Sequence, residues 1–452
     1  MNEAIRVAMI SLGCARNLVD SEVLLGHAVE EGFLIAREPA DADVVVVNTC
    51  GFVEEAKQES IDTILEVCKL KEQGNLKGVV AVGCLVQRYA EQLQQEIPEV
   101  DAFFAISDYS NVPQVIRRIV NGSVKRWSPT VDGGRPKAPR NDANRVLLTP
   151  KSYAYLRISE GCDHTCTFCA IPKMRGRNRS RPFEVLVEEA GNLGRQGIRE
   201  LVLVAEDTTH YGLDLYQERR IHELLEAIAT SSGAAWVRLM YAYPHTVTPA
   251  LTRVMRETPQ VVRYLDIPIQ HLAAPMLKAM KRGVSTEQVA GILHRLRDEV
   301  PGIAVRTTLI SGFPGETEAD HEQVLRFVEE YRFERLGVFT YSAEEGTPAA
   351  DLPGHVAPEV AERRRGEIMQ TQQRILEARN ATLVGTTQQV LVDGRDPAGK
   401  GFVGRTQADA PEIDCVVRLP AAKLESGDLV ATEITGVDGY DLLGRVVSLA
   451  RP

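Results

Sequence analysis

The sequence predicts an α/β protein built in three parts: an N-terminal open parallel α/β domain, a central partial β/α barrel of six units, and a small C-terminal antiparallel β-barrel of OB-like type. Three observations carry this. Short apolar runs alternate with helix-length stretches over residues 1–122, the alternation returns with a longer rhythm over 148–381, and residues 382–452 change to short β-rich runs punctuated by glycines. The chain has 452 residues, too many for one core at about 100–200 residues per domain.

Taken in order, the runs at 7–10, 44–47 and 79–82 suit buried parallel strands, and the stretches 20–31, 53–70 and 87–97 read as the helices between them. Residues 123–147, with Gly133-Gly134, Pro136, Pro139 and many charges, read as a linker. Strand-like runs follow at 153–159, 200–205, 236–241, 262–269, 304–311 and 335–341, with helix-like runs at 184–195, 219–230, 247–257, 285–299 and 317–332. Six units make a partial barrel, since a closed one of the common type takes eight. A last charged helix is expected over 358–379, and tail strands at 388–392, 401–405, 414–417, 429–435 and 443–449.

Hydrophobic residues make up 44% and charged residues 25%, which argues against wholesale disorder. The net charge of -10 makes the chain a poor bulk binder of nucleic acid. No stretch approaches the ~20 apolar residues of a membrane span. Met1-Asn2-Glu3-Ala4-Ile5-Arg6 lacks the basic and apolar regions of a secretion signal, so a cytoplasmic protein is expected. The cytosol keeps thiols reduced, so the eight cysteines need an explanation other than disulfides.

Cys162, Cys166 and Cys169 form a CxxxCxxC loop after the first barrel strand, where barrel enzymes place their chemistry. Three thiolates hold three irons of a cubane cluster and leave the fourth open. A structural zinc would want a fourth ligand; His164 is nearby, but its place between Cys162 and Cys166 would strain the loop. Cys14, Cys50 and Cys84 each follow a predicted parallel strand. Strand carboxyl ends meet at one sheet edge, so these three thiols should converge there, as a second cluster with an open iron. The plainer alternative is three buried cysteines packed as small hydrophobes.

The CxxxCxxC loop, with Phe168 before its last cysteine and a six-unit barrel behind it, resembles the radical S-adenosylmethionine (SAM) superfamily. The resemblance implies that the open iron binds SAM and that its reductive cleavage yields a 5′-deoxyadenosyl radical. It also implies SAM contacts from Phe168, from Glu206 and Asp207 in Ala205-Glu206-Asp207, and from Gly312, Phe313 and Gly315 in the run Ser311-Gly312-Phe313-Pro314-Gly315-Glu316. Glycine in such a loop lets backbone approach a ligand closely. Each segment alone also reads as a plain βα turn.

Over essentially the whole chain, the order of cysteine sets and domains resembles the methylthiotransferases. Ser11-Leu12-Gly13-Cys14-Ala15-Arg16-Asn17, Asn48-Thr49-Cys50-Gly51-Phe52-Val53-Glu54-Glu55-Ala56-Lys57 and Ala205-Glu206-Asp207-Thr208-Thr209 are similar to the branch that modifies a ribosomal-protein aspartate. Ala15-Arg16 departs from that family's usual Pro-Lys pair. The tRNA branch's Gln-Asn-Val after the second barrel strand is missing.

The resemblance implies a TRAM-type tail, two 4Fe-4S clusters and SAM as both methyl donor and radical source. The radical cluster would sit on Cys162, Cys166 and Cys169, and an auxiliary cluster on Cys14, Cys50 and Cys84. It further implies the β-carbon of an aspartate in ribosomal protein S-twelve, free or in the small subunit, as target, and a flavodoxin or ferredoxin as electron donor. The alternatives are a tRNA adenosine methylthiotransferase and a non-enzymatic, metal-stabilised RNA-binding protein.

Residues 393–452 carry ten acids and seven bases, a balance suited to a basic protein rather than to RNA phosphates. The dense basic run Lys173, Arg175, Arg177, Arg179 and Arg181 is either a solvated loop or a site for the SAM carboxylate or an acidic substrate side chain. Cys68 and Cys415 are expected to be structural, and His27, His210, His245 and His271 show no metal spacing.

Overall fold

The computed structural model of the chain describes residues 4–74, 76–123, 142, 144–399, 401–420 and 423–449. The N-terminal part is a five-stranded parallel sheet in the order β2-β1-β3-β4-β5, formed by β1 (Arg6–Ser11), β2 (Leu34–Ile35), β3 (Val44–Thr49), β4 (Gly78–Gly83) and β5 (Ala102–Phe104). Strands β3 and β4 are buried throughout, which is why their sequences read as unbroken apolar runs. Strands β2 and β5 are too short to carry such a signal. Helices α1 (Ala15–Glu30), α2 (Glu54–Glu72), α3 (Cys84–Glu96) and α4 (Val112–Val120) flank the sheet. Helix α1 starts five residues before the expected position. Its first turn is polar, yet Asn17 is buried and its amide donates to the Leu12 carbonyl at 2.6 Å, bonding the helix to the strand ends.

The central sheet runs β13-β12-β11-β10-β9-β6. It comprises β6 (Tyr153–Arg157), β9 (Glu200–Val204), β10 (Trp236–Leu239), β11 (Val261–Asp266), β12 (Ala304–Ser311) and β13 (Arg335–Thr340). All five pairings are parallel, and β6 and β13 do not meet, so the barrel stays open as expected. A short antiparallel pair, β7 (Ser159–Glu160) and β8 (Arg179–Ser180), brackets the CxxxCxxC loop. One face of the sheet packs on the outer helices through residues such as Leu156, Leu203 and Leu265. Alternate residues, including Tyr153, Val202, Trp236 and Tyr264, form the concave face.

The tail closes into a barrel in the order β14-β15-β16-β18-β17, with β14 (Thr387–Arg395), β15 (Phe402–Arg405), β16 (Val417–Leu419), β17 (Leu429–Asp438) and β18 (Asp441–Leu449). The expected all-antiparallel pairing needs correction, because β16 and β18 run parallel. A closed ring of five strands cannot alternate direction throughout, so one parallel pair is unavoidable.

Between β15 and β16 the chain makes an excursion, residues 406–416, across the concave face of the central sheet. Asp409 pairs with Arg335 at 2.8 Å, Tyr264 donates to Asp414 at 2.7 Å, and Arg238 donates to the Gln407 carbonyl at 2.9 Å. Beside it, Arg405 pairs with Glu200 at 2.7 Å. Ala410 joins the core cluster of that face together with Val19 and Val23 of α1. Helix α1 and this strap thus pack on a concave face that a closed barrel would fill with the side chains of its own strands. Part of the tail's acidic excess therefore faces the barrel.

Most of the expected linker, 124–141 and 143, lies outside the described residues. Near its end, Asp142 is buried and Arg145 is tied into the fold. Asp142 receives Arg157 at 2.7 Å and Arg181 at 3.3 Å, and Arg145 pairs with Glu22 at 3.0 Å. Arg157 also pairs with Asp20 of α1. No helix among the described residues is long and apolar enough to cross a membrane.

Burial pushes the Asp142 carboxyl upward, but the guanidiniums of Arg157 and Arg181 outweigh it and hold it below the usual range. A depressed folded pKa contributes stability that is fully present above the unfolded value of ~3.9 and fades as pH falls through the lower folded one. Asp142→Ala should cost about 3–5 kcal/mol at neutral pH, the usual cost of orphaning buried charges. In urea unfolding of the metal-free protein, the gap to wild type should shrink below pH ~4.

Candidate metal and cofactor centre

Cys14 sits at the N-cap of α1, and Cys84 opens α3. Cys50 follows β3 directly. Two glycines bring their loops together. A Cβ on Gly13 would lie 2.9 Å from the Cys50 Cβ, and one on Gly51 would lie 2.8 Å from the Leu85 backbone nitrogen and 2.9 Å from the Cys84 carbonyl carbon. Real Cβ atoms do not approach so closely, so glycine is required at both. The three thiols line one cavity of about 490 Å³, together with Arg16, Arg175, Glu206 and Tyr241.

Burial and the neighbouring Cys84 push the Cys50 thiol up to about 12. Burial opposes ionisation of Cys14 too, but Arg16 and Arg175 bring that thiol below its ordinary value. Arg175 Nη2 donates to the Cys84 sulfur at 3.4 Å.

Cys162, Cys166 and Cys169 occupy the loop between β7 and the short helix Ile171–Arg175. They line a second cavity of about 140 Å³ with Phe168, Glu206, Tyr243 and Gln270. Burial holds Cys162 and Cys169 up at about 12. Arg282 donates to the Cys166 sulfur at 3.2 Å and lies 4.2 Å from the Tyr243 ring centroid. Two non-glycine residues on this wall, Tyr241 and Gln270, hold left-handed backbone with φ of 59° and 72°. Strain of this kind collects where the surrounding structure fixes a site.

Phe52, Ile171, Glu206 and Tyr241 border both cavities, so the two cysteine triads open onto adjoining space. Glu206 is the hinge of the arrangement. It accepts the Gly161 N–H at 2.9 Å and lies 3.5 Å from Arg16 and 3.8 Å from Arg175. Each triad offers three soft sulfurs beside open space, with an arginine to offset negative charge. That donor set fits an iron–sulfur cluster with one free iron position.

Other expected residues are placed differently. Phe168 and Glu206 border the Cys162 cavity. Asp207 is buried beside it, 2.6 Å from His164 Nε2, and accepts the Thr209 N–H at 2.9 Å. His164 in turn stacks on Tyr243 at 3.7 Å. Ligand atoms of His164, Asp207 and His210 lie within 4.8 Å of one another, although the spacing of His210 carries no metal signal.

Gly312 lies against Ala361 of the long helix Pro358–Leu383, and Phe313 is fully buried in a small core on which Phe168 packs. The Gly315 N–H donates to the Gly354 carbonyl at 2.8 Å. None of these three borders either cavity, because the turn folds back on the chain's own packing.

The basic run is corrected at Arg175 and Arg181, while Lys173 and Arg177 are exposed, as a solvated loop would have them. Arg175 and Arg181 are buried and paired, Arg175 with Asp20 at 3.0 Å and Glu160 at 3.2 Å, and Arg181 with Glu189 at 2.6 Å. Neither is a free anion site. Cys68 packs in the N-terminal core and Cys415 is half-buried. Sequence reasoning missed Arg282 and Tyr243, which no local motif marks. It passed over Arg16 as a mild departure from a pattern.

An open six-stranded β/α sheet with three cysteines in the loop after its first strand defines a radical SAM enzyme. The model of the radical SAM superfamily matches residues 156–328. Residues 6–105 match the uncharacterized protein family UPF0004, and 384–447 match the TRAM domain. The chain is 47% identical to the ribosomal protein uS12 methylthiotransferase RimO of Anaeromyxobacter sp. (strain K), over 98% of this chain and 94% of that one. It is 43% identical to RimO of Clostridioides difficile (strain 630), over 98% and 99%. The chain belongs to the RimO family.

Among solved structures, it resembles the radical SAM methyltransferase TsrM from Kitasatospora setae with tryptophan and a SAM analog bound. The TM-score is 0.54 at 15% identity, covering 87% of this chain and 79% of that one. At that identity the likeness is one of fold.

Gly51→Ala should push the Cys50 loop off Cys84 without touching a thiol. In a Cys162→Ala/Cys166→Ala/Cys169→Ala background, cadmium titration of the metal-free protein should show at least about tenfold weaker thiolate binding, as when a supporting contact of a metal site is lost. Gly291→Ala, where a Cβ meets nothing within 4 Å, should leave it unchanged.

Proposed function

We propose that the protein is a radical SAM methylthiotransferase acting on the β-carbon of an aspartate in ribosomal protein uS12. The observation that carries this reading is the meeting of two cysteine triads, from two parts of the chain, on adjoining cavities. Cys162, Cys166 and Cys169 would hold the radical cluster, and Cys14, Cys50 and Cys84 an auxiliary one. The parts would divide near residues 122, 147 and 381. When bound, the clusters and SAM supply a carbon-centred radical on one side and the sulfur and methyl group on the other.

The chain's own residues position and shield. Phe168 and Glu206 would contact SAM, with Phe313 backing Phe168 from the core and Asp207 holding the loop through His164. Gly312 and Gly315 would act by shaping the turn that carries Phe313. Arg16 and Arg175 would balance charge at the auxiliary cluster and Arg282 at the radical one. Phe52, Ile171 and Tyr241 would wall the shared space against water, which keeps a reactive radical from side reactions. A small reductant such as a flavodoxin or ferredoxin would supply the electron, and the cytoplasm, where ribosomes are built, is the setting.

Replacing Cys162, Cys166 and Cys169 with Ala should leave about four irons per chain by cubane stoichiometry and abolish 5′-deoxyadenosine formation. Replacing Cys14, Cys50 and Cys84 should leave about four irons and keep SAM cleavage, while mass spectrometry finds no methylthio group on the ribosomal protein. Methylthiolation that survives the second replacement, or appears on tRNA instead of the protein, would sink the reading.

A further inference from the structure

The larger cavity has a mouth whose construction the reaction chemistry does not explain. Three large apolar side chains on its lining are exposed: Phe52 at 37%, Phe339 at 58% and Ile413 at 46%. They come from three different parts of the molecule: the loop after Cys50, the edge strand β13, and the strap between β15 and β16. Isolated exposed apolar residues are ordinary, but three converging on one opening mark a contact surface. The opening is the unclosed side of the barrel, since the same cavity is lined by Tyr155 of edge strand β6 and Phe339 of edge strand β13.

Beside Ile413 stands Glu412, also on the cavity wall and exposed. Tyr153 and Tyr155 each donate a phenol O–H to one of its carboxylate oxygens, both at 2.9 Å. Its backbone is left-handed, with φ of 68°, a conformation that costs a non-glycine residue and persists only where neighbours impose it. The imposing neighbours are Asp409, held by Arg335, and Asp414, held by Tyr264. Among the described residues no Lys, Arg or His lies within ion-pair distance of Glu412. The strap therefore fixes an uncompensated carboxylate at the entrance, with two neutral donors orienting it.

We infer that this mouth is the docking surface for the substrate polypeptide: Phe52, Phe339 and Ile413 grip an apolar side chain, and Glu412 takes a Lys or Arg close to the target aspartate. The inference rests on the ribosomal-protein reading above and adds the residues that select the substrate. A protein that sits among RNA phosphates must be rich in Lys and Arg, and a fixed carboxylate selects such a segment while rejecting a phosphate backbone.

Glu412→Gln keeps the size of the side chain and removes its charge; the amide oxygen still accepts from one phenol and the amide N–H donates to the other. Phe339→Ser removes one exposed lip. The test is steady-state methylthiolation of the purified ribosomal protein by reconstituted enzyme at several salt concentrations. Glu412→Gln should raise KM about tenfold, the weight of one charge-assisted contact, with kcat within about twofold. It should also flatten the rise of KM with salt that wild type shows. Phe339→Ser should raise KM while keeping the salt dependence.

Wild-type KM and salt dependence in both variants would overturn the docking surface and leave the substrate reading standing. A fall in kcat at unchanged KM would overturn it too, by making these residues part of the chemistry. A wild-type enzyme that does not modify the ribosomal protein would overturn both.

Discussion

Arg175 has no water to fall back on. Its side chain is 3% exposed and reaches into two parts of the molecule at once, to Asp20 and the Cys84 sulfur of the N-terminal part and to Glu160 of the barrel. A buried charge is tolerable only while its partners stay. The N-terminal sheet and the barrel therefore cannot drift apart without orphaning several charges together. Arg157 of the barrel, between Asp20 and Asp142, adds a second such bond to the N-terminal part. Because of this network the cysteines that follow β1, β3 and β4 open onto space adjoining those of the barrel loop, and Glu206 borders both.

The second constraint is the barrel that does not close. Six parallel strands leave a concave face that must be covered somewhere, and here its cover comes from far along the chain. Helix α1 supplies Val19 and Val23, and the tail strap supplies Ala410. On that face Glu200 pairs with Arg405 of β15, Arg335 with Asp409 and Arg306 with Asp414 of the strap, and Arg238, paired with Glu200, donates to the Gln407 carbonyl. The acids of the tail thus have two uses. Asp409 and Asp414 fasten the strap, and Glu412 is held on the cavity wall by the phenols of Tyr153 and Tyr155. Total charge, counted from composition, cannot separate these uses.

Much of the architecture was legible because it is local. Continuous apolar runs gave the fully buried strands β3 and β4, and the CxxxCxxC spacing needs no tertiary knowledge. The convergence of Cys14, Cys50 and Cys84 was legible through one general rule about strand ends. What was hidden depends on contacts distant in sequence. Asn17 and Arg16 look like loop residues until the strand ends they bond are in place. Arg175 and Arg181 read as a solvated basic run because Asp20, Asp142 and Glu189 lie elsewhere in the chain. Gly312 and Phe313 sit in a turn of the expected kind, yet the long helix beside Gly312 and the small core around Phe313 turn them from the cavity. Nothing near Arg282 hints that it would reach Cys166.

Two triads kept facing each other by buried charge would each hold a separate iron–sulfur cluster. Iron-edge anomalous diffraction from crystals of anaerobically reconstituted protein tests it most directly. Two resolved iron peaks are expected, one against Cys162, Cys166 and Cys169 and one against Cys14, Cys50 and Cys84. A single peak at the barrel loop, with the three strand-end cysteines free of iron, would contradict it.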